Sequence, residues 1–247
     1  FVSDLAAYRE LCDLDGKECR KWRSGVKHDA APVMEFTRVN GNLINGLGQR
    51  CELENDYLFP LLKSSDLANG RLKPTRFVLL TQRRVGDPTE SIKQLAPRTW
   101  QYLLDHAAYL DNRRSSIYTN RARFSVFGVG DYSFAPAKVG ISGFYKNLRF
   151  QALGRADEKP VMLDDTCYFV PCDSKHEAEF VAELLNSETA QRFISALVFA
   201  DAKRPVTVDV LKRIDLKKLA ERMGFQTATI EFFASQCKES EQQLLFT

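Results

Sequence analysis

Adjacent carboxylates at Asp164 and Asp165 are the part of this sequence best suited to metal-dependent chemistry. Together with Lys175 they mimic the pairing of acidic residues with a lysine that many DNA nucleases use. This lysine, however, follows Pro171 and stands where a helix is expected to begin, whereas such sites place it on a strand facing the other carboxylate. The other interpretation is a turn in which a carboxylate accepts backbone N–H bonds. A metal-dependent DNA nuclease therefore stays open as an alternative function.

Other catalytic and cofactor patterns are incomplete. His28, within Lys27-His28-Asp29, is either a general base or a loop side chain that bonds to neighbouring backbone. The glycines of Phe127-Gly-Val-Gly130 lack the strand, Gly-x-Gly-x-x-Gly and helix order that binds a pyrophosphate, so they predict a tight turn. None of the six cysteines forms Cys-x-x-Cys, and the three histidines are distant from them in sequence. No zinc site is therefore expected.

Positive charge is concentrated in residues 113–150. This window holds seven lysines and arginines and one acidic residue, whereas the rest of the chain has 28 basic and 31 acidic residues. Such a cluster attracts the phosphate backbone of nucleic acids, and arginine can also bind guanine edges. We expect these groups to lie on one exposed face. The alternatives are a sheet whose basic residues are merely solvated, and an interaction subunit whose aromatic residues meet a partner protein.

The composition excludes several classes of protein. The chain has 247 residues, of which 44% are hydrophobic and 27% charged, and this is unlike a disordered chain. No run approaches the roughly 20 apolar residues of a membrane span, so no membrane partner is expected. Sparse cysteines are typical of free thiols in a reducing cytoplasm. A first residue of Phe suggests an excised fragment or a processed chain.

Strand patterns occupy the middle of the chain, with helical patterns before and after them. Helices are predicted over 3–12, 57–67, 97–111 and from 174 to the end, where Ser174 and Glu177 have the spacing of a capping box. Strands are predicted over 32–39, 42–53, 77–81, 124–127, 138–142, 150–153, 161–163 and 167–170. The predicted fold class is mixed α/β of the α+β kind. It has a central, largely antiparallel or mixed sheet with flanking helices and a helical C-terminal part.

Eight short pieces in order give the chain a family resemblance. The pieces are Trp22-Arg-Ser-Gly-Val-Lys-His-Asp29, Asn45-Gly-Leu-Gly48, residues 57–66, 111–118, 124–134, 138–146 and 159–168, and Asp201-Ala-Lys-Arg-Pro205. Over about residues 22–215, this succession resembles the C-terminal target recognition region of bacterial TaqI-like adenine-specific (N6) DNA methyltransferases of restriction-modification systems.

The resemblance implies a division of labour. This chain would recognise base edges in double-stranded DNA. A catalytic methyltransferase domain of the same parent chain would flip the adenine and transfer the methyl group of S-adenosylmethionine. The family's catalytic signature, Asn-Pro-Pro followed by an aromatic residue, is absent, since no two of the nine prolines are adjacent. No cofactor is therefore expected in this chain, and S-adenosylmethionine would serve the parent enzyme, with or without an attached nuclease.

Residue type and charge select the contacts within this resemblance. The first choices for DNA contact are Arg113, Arg114, Ser115, Ser116 and Tyr118, with Lys138 and Lys146 as phosphate anchors and Lys27 and His28 near the hinge to the catalytic domain. The chain divides into an N-terminal segment leading from that domain (1–55), a mixed-sheet DNA target recognition domain (56–173) and a helical C-terminal part packed on it (174–247).

Overall fold

Two β-sheets form the framework of the structure, a computed structural model that describes residues 2–16, 20–144, 148–199 and 204–225. The strands are β1 (Arg23–Ser24), β2 (Glu35–Val39), β3 (Asn42–Asn45), β4 (Arg50–Cys51), β5 (Leu58–Leu62), β6 (Arg76–Leu79), β7 (Ala137–Ser142), β8 (Gln151–Leu153), β9 (Arg155–Ala156), β10 (Lys159–Pro160), β11 (Met162–Leu163) and β12 (Cys167–Cys172). The helices are α1 (Leu5–Leu11), α2 (Ala31–Met34), α3 (Ser64–Ala68), α4 (Ile92–Leu95), α5 (Pro97–Asp105), α6 (Ala107–Asp111), α7 (Lys175–Asn186), α8 (Glu188–Leu197), α9 (Val208–Leu211) and α10 (Leu216–Arg222).

One sheet has four antiparallel strands in the order β1-β12-β7-β8, and the other has six in the order β11-β5-β6-β2-β3-β4. Among the described strands of the second sheet, β11 and β5 pair in parallel and the other neighbours are antiparallel. The α+β class with antiparallel and mixed sheets is therefore confirmed. No helix in the described ranges is long and apolar enough to cross a membrane.

The helices of the C-terminal part pack on one face of the four-stranded sheet. Val139 and Ile141 of β7 join α1 and α7 to α10 in one apolar core. Helix α7 begins as predicted, because the Ser174 hydroxyl accepts the N–H of Glu177 (3.1 Å) and the Glu177 carboxylate accepts the N–H of Asp173 (2.7 Å). Ser174 therefore caps α7 as predicted, while Glu177 reaches the N–H one residue before the N-cap, and these two bonds fix the point at which the chain turns from the sheet into its helices.

The opposite face of the four-stranded sheet is covered as well. Leu153 and Phe169 lie in a second apolar cluster with Leu62, Leu67 and Leu163, which come from β5, α3 and β11. As a result, all six residues of the central strand β7 are buried.

The six-stranded sheet packs against α5 through the rings of Phe36 and Tyr102, whose centroids are 5.7 Å apart. The Tyr102 hydroxyl donates to the Val33 carbonyl (2.9 Å) and accepts from the Asn45 side-chain amide (3.1 Å). The helix predicted over 97–111 is present as α5 and α6. It breaks at His106, where the backbone leaves helical angles (φ −108°, ψ 17°).

The helix predicted over 57–67 is wrong for its first half. Residues 58–62, Leu-Phe-Pro-Leu-Leu, are all buried and form β5, in which Pro60 pairs with Phe77. A short, continuous apolar run is typical of a strand covered on both faces. Helix α3 begins only at Ser64. The Asp66 carboxylate in its first turn accepts the N–H of Lys63, the residue that precedes the helix (3.0 Å).

The strand predicted over 124–127 is also wrong. Phe124 has a φ of +68°, and the Val126 N–H donates to the Gln82 side chain (3.0 Å) rather than to a neighbouring strand. This segment is irregular and is held by side chains. The three-part division of the chain stays a prediction.

Candidate nucleic-acid interface

Three chain segments cross between the two sheets, and we call this crossing the junction: residues 23–29, 126–129 and 162–165. The Val26 N–H donates to the Leu163 carbonyl (2.7 Å), and Lys27 and Phe127 exchange two backbone bonds of 2.9 Å. Strand β1 belongs to the four-stranded sheet and β11 to the six-stranded sheet. Main-chain groups therefore join the two sheets here.

Two glycines allow the backbones to approach at the junction. A Cβ on Gly25 would lie 2.2 Å from the Asp164 carbonyl oxygen, and a Cβ on Gly128 would lie 2.1 Å from the Gly25 carbonyl oxygen. Gly128 also has a φ of +68°, which L side chains rarely adopt. Gly128 thus serves backbone packing in a turn, in keeping with the tight-turn interpretation of Phe127–Gly130 and not with a cofactor loop.

His28 is a buried member of a charge network beside the junction. Its Nδ1 accepts the Ala30 N–H (3.2 Å), so its Nε2 carries the proton and faces the Glu35 carboxylate at 3.4 Å. Lys63 Nζ lies 2.6 Å from the same carboxylate. Burial alone would raise the pKa of Glu35, but the hydrogen bonds from His28 and Lys63 outweigh burial and lower it. His28, 7% exposed, is therefore a structural side chain, the second of its two interpretations.

Lys27 is partly buried between two carboxylates. Its Nζ lies 2.8 Å from Asp29 and 3.5 Å from Asp165. The hydrogen bond to Asp29 and the charge of Asp165 raise the pKa of Lys27 against the opposing effect of burial. An ammonium whose charge is neutralised by two neighbouring carboxylates attracts a DNA phosphate only weakly. Lys27 is therefore a weaker candidate than its sequence suggested.

The basic loop, residues 112–123, follows α6 and lies beside the junction. It holds four arginines and no acidic residue. Arg114, Ser116 and Arg121 are exposed, whereas Ser115 is half-buried. Neither Arg114 nor Arg121 is paired with a carboxylate of the described residues. These two guanidinium groups are available to a polyanion.

Arg113 and Tyr118 use their side chains inside the molecule. The Arg113 guanidinium is half-buried, donates to backbone carbonyls, and lies 3.6 Å from the centroid of the Tyr118 ring. The Tyr118 ring in turn meets Phe127 edge-on, with centroids 5.4 Å apart. Both residues were predicted to contact DNA. In the structure, their side chains instead contact each other and neighbouring segments of the protein.

The other cations of the 113–150 window differ in their surroundings. Within the basic loop, Arg123 pairs with Asp111 (2.6 Å). Arg149 is exposed and lies beside Gly70, just after α3. Lys146 lies outside the described residues. Because Arg113 is half-buried and Lys138 is buried, the expectation that all these groups lie on one exposed face is wrong for those two.

Lys138 is incompatible with its predicted role as a phosphate anchor. The residue lies in β7 and is 2% exposed, with its Nζ donating to the Ala135 carbonyl (3.3 Å) and lying 5.8 Å from the centroid of the Phe169 ring. Burial lowers the pKa of Lys138 to about 7, because no carboxylate in the described structure compensates the charge. Its ammonium does not reach the surface.

Arg83 was not among the predicted contacts, although the pair Arg83-Arg84 before a Gly-Asp-Pro turn could have indicated it. It is exposed, stacks 4.2 Å from the centroid of Phe134 and has no carboxylate partner among the described residues. Its loop is joined to the segment ending the basic loop, because the Thr89 hydroxyl donates to the Arg123 carbonyl (2.6 Å). Arg83 therefore lies on an element fastened to the basic loop.

The residues of the nuclease alternative are not brought together. Asp164 accepts the backbone N–H of Thr166 (3.3 Å), as in the turn interpretation, and also accepts the Thr166 hydroxyl (2.6 Å). Asp165 faces the Lys27 ammonium, and Lys175 pairs with Glu179 (3.3 Å). Across the ranges that the structure describes, no three His, Cys, Asp or Glu side chains converge to hold a metal ion. The arrangement gives the nuclease alternative no support.

Comparisons with known proteins identify one curated relative. The chain is 47% identical over 223 residues to the type II methyltransferase M.NspV of Nostoc sp. (strain ATCC 29411 / PCC 7524), and the match covers 90% of this chain and 46% of that protein. The chain thus spans about half the length of the relative. No family model matches the chain. Among solved structures, the type IIL restriction-modification enzyme MmeI in complex with DNA is a distant neighbour, with a TM-score of 0.47 and 12% identity over 81% of this chain and 26% of that one.

Proposed function

We propose that this chain is the DNA target recognition region of an adenine-specific (N6) DNA methyltransferase of a restriction-modification system. The observation that carries the proposal is the 47% identity to half of a type II methyltransferase, sustained over 90% of the chain. The eight ordered pieces supply the adenine-specific, TaqI-like assignment, since they resemble the C-terminal region of that family.

In this proposal, methyl transfer takes place on residues outside this chain. The Asn-Pro-Pro signature that would hold a flipped adenine is missing from the sequence, in which no two prolines are adjacent. S-adenosylmethionine and the reacting adenine would therefore bind to a catalytic domain of the same parent chain. The residues described here would bind duplex DNA and present it to that domain.

The basic loop supports DNA binding by this chain. Arg114 and Arg121 are exposed and unpaired within the described structure, and the Ser116 hydroxyl lies between them in sequence on the same exposed loop. Guanidinium and hydroxyl groups are typical donors to phosphate oxygens and base edges. Arg83, fastened alongside, would add a third cation.

Fluorescence anisotropy of the purified chain with a labelled random-sequence duplex tests the proposal. We expect the logarithm of the binding constant to fall linearly with the logarithm of salt concentration, as counterions are released from the DNA. Arg114→Ala and Arg121→Ala should each reduce the steepness of that dependence by about 1, because each removes one phosphate contact.

Arg9→Ala is the matched control. Arg9 is an exposed arginine on α1, on the helical side of the molecule, and is also without a carboxylate partner among the described residues. Its loss changes the net charge equally and should leave the salt dependence unaltered. Equal effects of all three substitutions, or an absence of duplex binding at low salt, would contradict the proposal.

A further inference from the structure

We propose that Arg113 is a positioning residue, which holds the basic loop against the junction so that Arg114 can meet DNA, and that it does not itself contact DNA. This inference rests on the proposed function. It reverses the DNA-contact role predicted for Arg113 from residue type and charge, and it assigns different roles to two adjacent arginines of one loop.

The guanidinium of Arg113 bonds to three separate parts of the chain. Its Nε donates to the Leu110 carbonyl at the end of α6 (2.7 Å). Its Nη1 donates to the Ser125 carbonyl beyond the basic loop (2.6 Å) and to the His28 carbonyl at the junction (3.3 Å). One side chain thus ties both ends of the basic loop to each other and to the junction.

The Tyr118 ring fixes the middle of the basic loop to the Arg113 guanidinium. The Arg113 guanidinium carbon lies 3.6 Å from the ring centroid, a cation–π contact, and the ring meets Phe127 at an interplanar angle of 76°. Phe127 is itself held by its two backbone bonds to Lys27. Residues 114–117 are therefore a short span between two anchored side chains.

The interactions of Arg113 are ones that lysine cannot reproduce. A planar guanidinium can donate along three directions while stacking on a ring, whereas an ammonium is a compact charge without a plane. No carboxylate of the described structure forms an ion pair with Arg113. Carbonyl oxygens and the Tyr118 ring contact the guanidinium directly, and the charges of Asp29 and Asp111 act on it from beyond ion-pair distance. Arg113→Lys would keep the charge but lose the carbonyl bonds and the ring contact of the guanidinium, which together we call the clamp.

A contact with DNA and a positioning role differ in how lysine behaves at the two sites. At 114, Arg114→Lys keeps a charge for phosphate and should keep the salt dependence, with affinity within about threefold of the wild type. At 113, Arg113→Lys should weaken duplex binding about tenfold at every salt concentration. Its salt dependence should stay unchanged, because the number of phosphate contacts is the same.

Hydrogen exchange of the free chain supplies a readout that does not require DNA. The amides of Tyr118, Thr119 and Arg121 donate to carbonyls within the basic loop. They should exchange at least tenfold faster in Arg113→Lys and remain as in the wild type in Arg114→Lys. Tyr118→Leu removes the other half of the clamp and should accelerate the remaining two amides, Thr119 and Arg121.

The outcomes separate this inference from the proposed function. Wild-type affinity in Arg113→Lys, together with a salt dependence reduced by about 1 in Arg113→Ala, would identify a direct phosphate contact and overturn the inference. If the wild-type chain binds no duplex, the proposed function fails. Hydrogen exchange then tests the positioning role of Arg113 without DNA. Faster exchange of the three amides in Arg113→Lys supports that role, and unchanged exchange overturns it.

Discussion

The junction and the basic loop lie side by side, yet different parts of the chain fix their conformations. At the junction, main-chain groups of three segments bond to one another, and Gly25 and Gly128 leave no room for a Cβ between them. In the basic loop, the backbone bonds are local turns, and side chains supply long-range contacts, among them Arg113 to the His28 carbonyl and Thr89 to the Arg123 carbonyl.

This difference separates a rigid frame from an adjustable surface. Substitutions of Gly25 or Gly128 must disturb the backbone of the junction, because a Cβ at either position meets main-chain atoms that cannot move aside as a side chain could. Substitutions at exposed positions of the basic loop change the chemistry presented to solvent and leave the frame intact. Binding residues lie disproportionately on loops positioned by a rigid scaffold, and the proposed function would use the basic loop in this way. The predictions below test it by the size of the effect on stability.

The largest effect is expected from Gly128→Ala. The new Cβ would overlap the Gly25 carbonyl oxygen at 2.1 Å, and the positive φ adds strain. We expect unfolding free energy, measured by urea denaturation, to fall by about 3 kcal/mol or more.

Gly41→Ala is the control for backbone conformation alone. Gly41 has a φ of +80° and open space around its Cβ position. It should cost about 1 kcal/mol. Equal costs for the two substitutions would show that close backbone packing at the junction contributes nothing, and the comparison would fail.

An intermediate, pH-dependent effect is expected from Glu35→Gln. Burial opposes ionisation of Glu35, but His28 and Lys63 hold its folded-state pKa below the unfolded value. The carboxylate therefore stabilises the fold above the unfolded pKa, and this contribution disappears as pH falls through the folded pKa. The variant should be about 1–3 kcal/mol less stable at pH 7, and the gap should close below about pH 4.

Denaturation midpoints of both proteins across pH 3 to 7 provide the measurement. Glu52→Gln serves for comparison, because Glu52 faces Arg50 across 3.6 Å at the exposed surface. It should change stability little at any pH. A Glu35→Gln gap that persists unchanged at pH 3 would refute the assigned network.

The smallest effect is expected from Arg123→Gln in the basic loop. Its pair with Asp111 is short (2.6 Å) but close to half-exposed on both sides, so water and salt screen it. The loss should be under about 1 kcal/mol, and Asp111→Asn should match it. A cost approaching that of Gly128→Ala would mean that the loop belongs to the rigid frame after all.

The sequence predicted elements where local signals and final packing agree. Ser174 caps α7 at the position that its spacing to Glu177 predicted, and α5 follows an apolar stripe. The helix prediction for residues 58–62 was wrong because Pro60 is also typical of the first turn of a helix. Five consecutive buried apolar residues satisfy either a buried strand or a helix, and only the partner strand β6 decides between them.

The candidate site was predictable as a region and not residue by residue. Charge counting located the basic loop, but it could not distinguish Arg113 from Arg114, which differ in the carbonyls that approach them from distant segments. Lys138 alternates with Val139 and Ile141, a pattern that predicts an exposed lysine. The second apolar cluster, assembled from β5, α3 and β11, covers that face instead.

Site-specific photocross-linking measures most directly whether the basic loop lies against DNA. A thiol-reactive photocross-linker would be attached at Ser116→Cys in a chain with Cys12, Cys19 and Cys237 replaced by Ser, since Cys51, Cys167 and Cys172 are buried. The matched chain keeps Cys12, which is exposed, and retains Ser116. We predict a salt-sensitive duplex adduct from position 116 and at most background from position 12. Equal adducts from both positions, or an adduct from position 12 alone, would contradict the account.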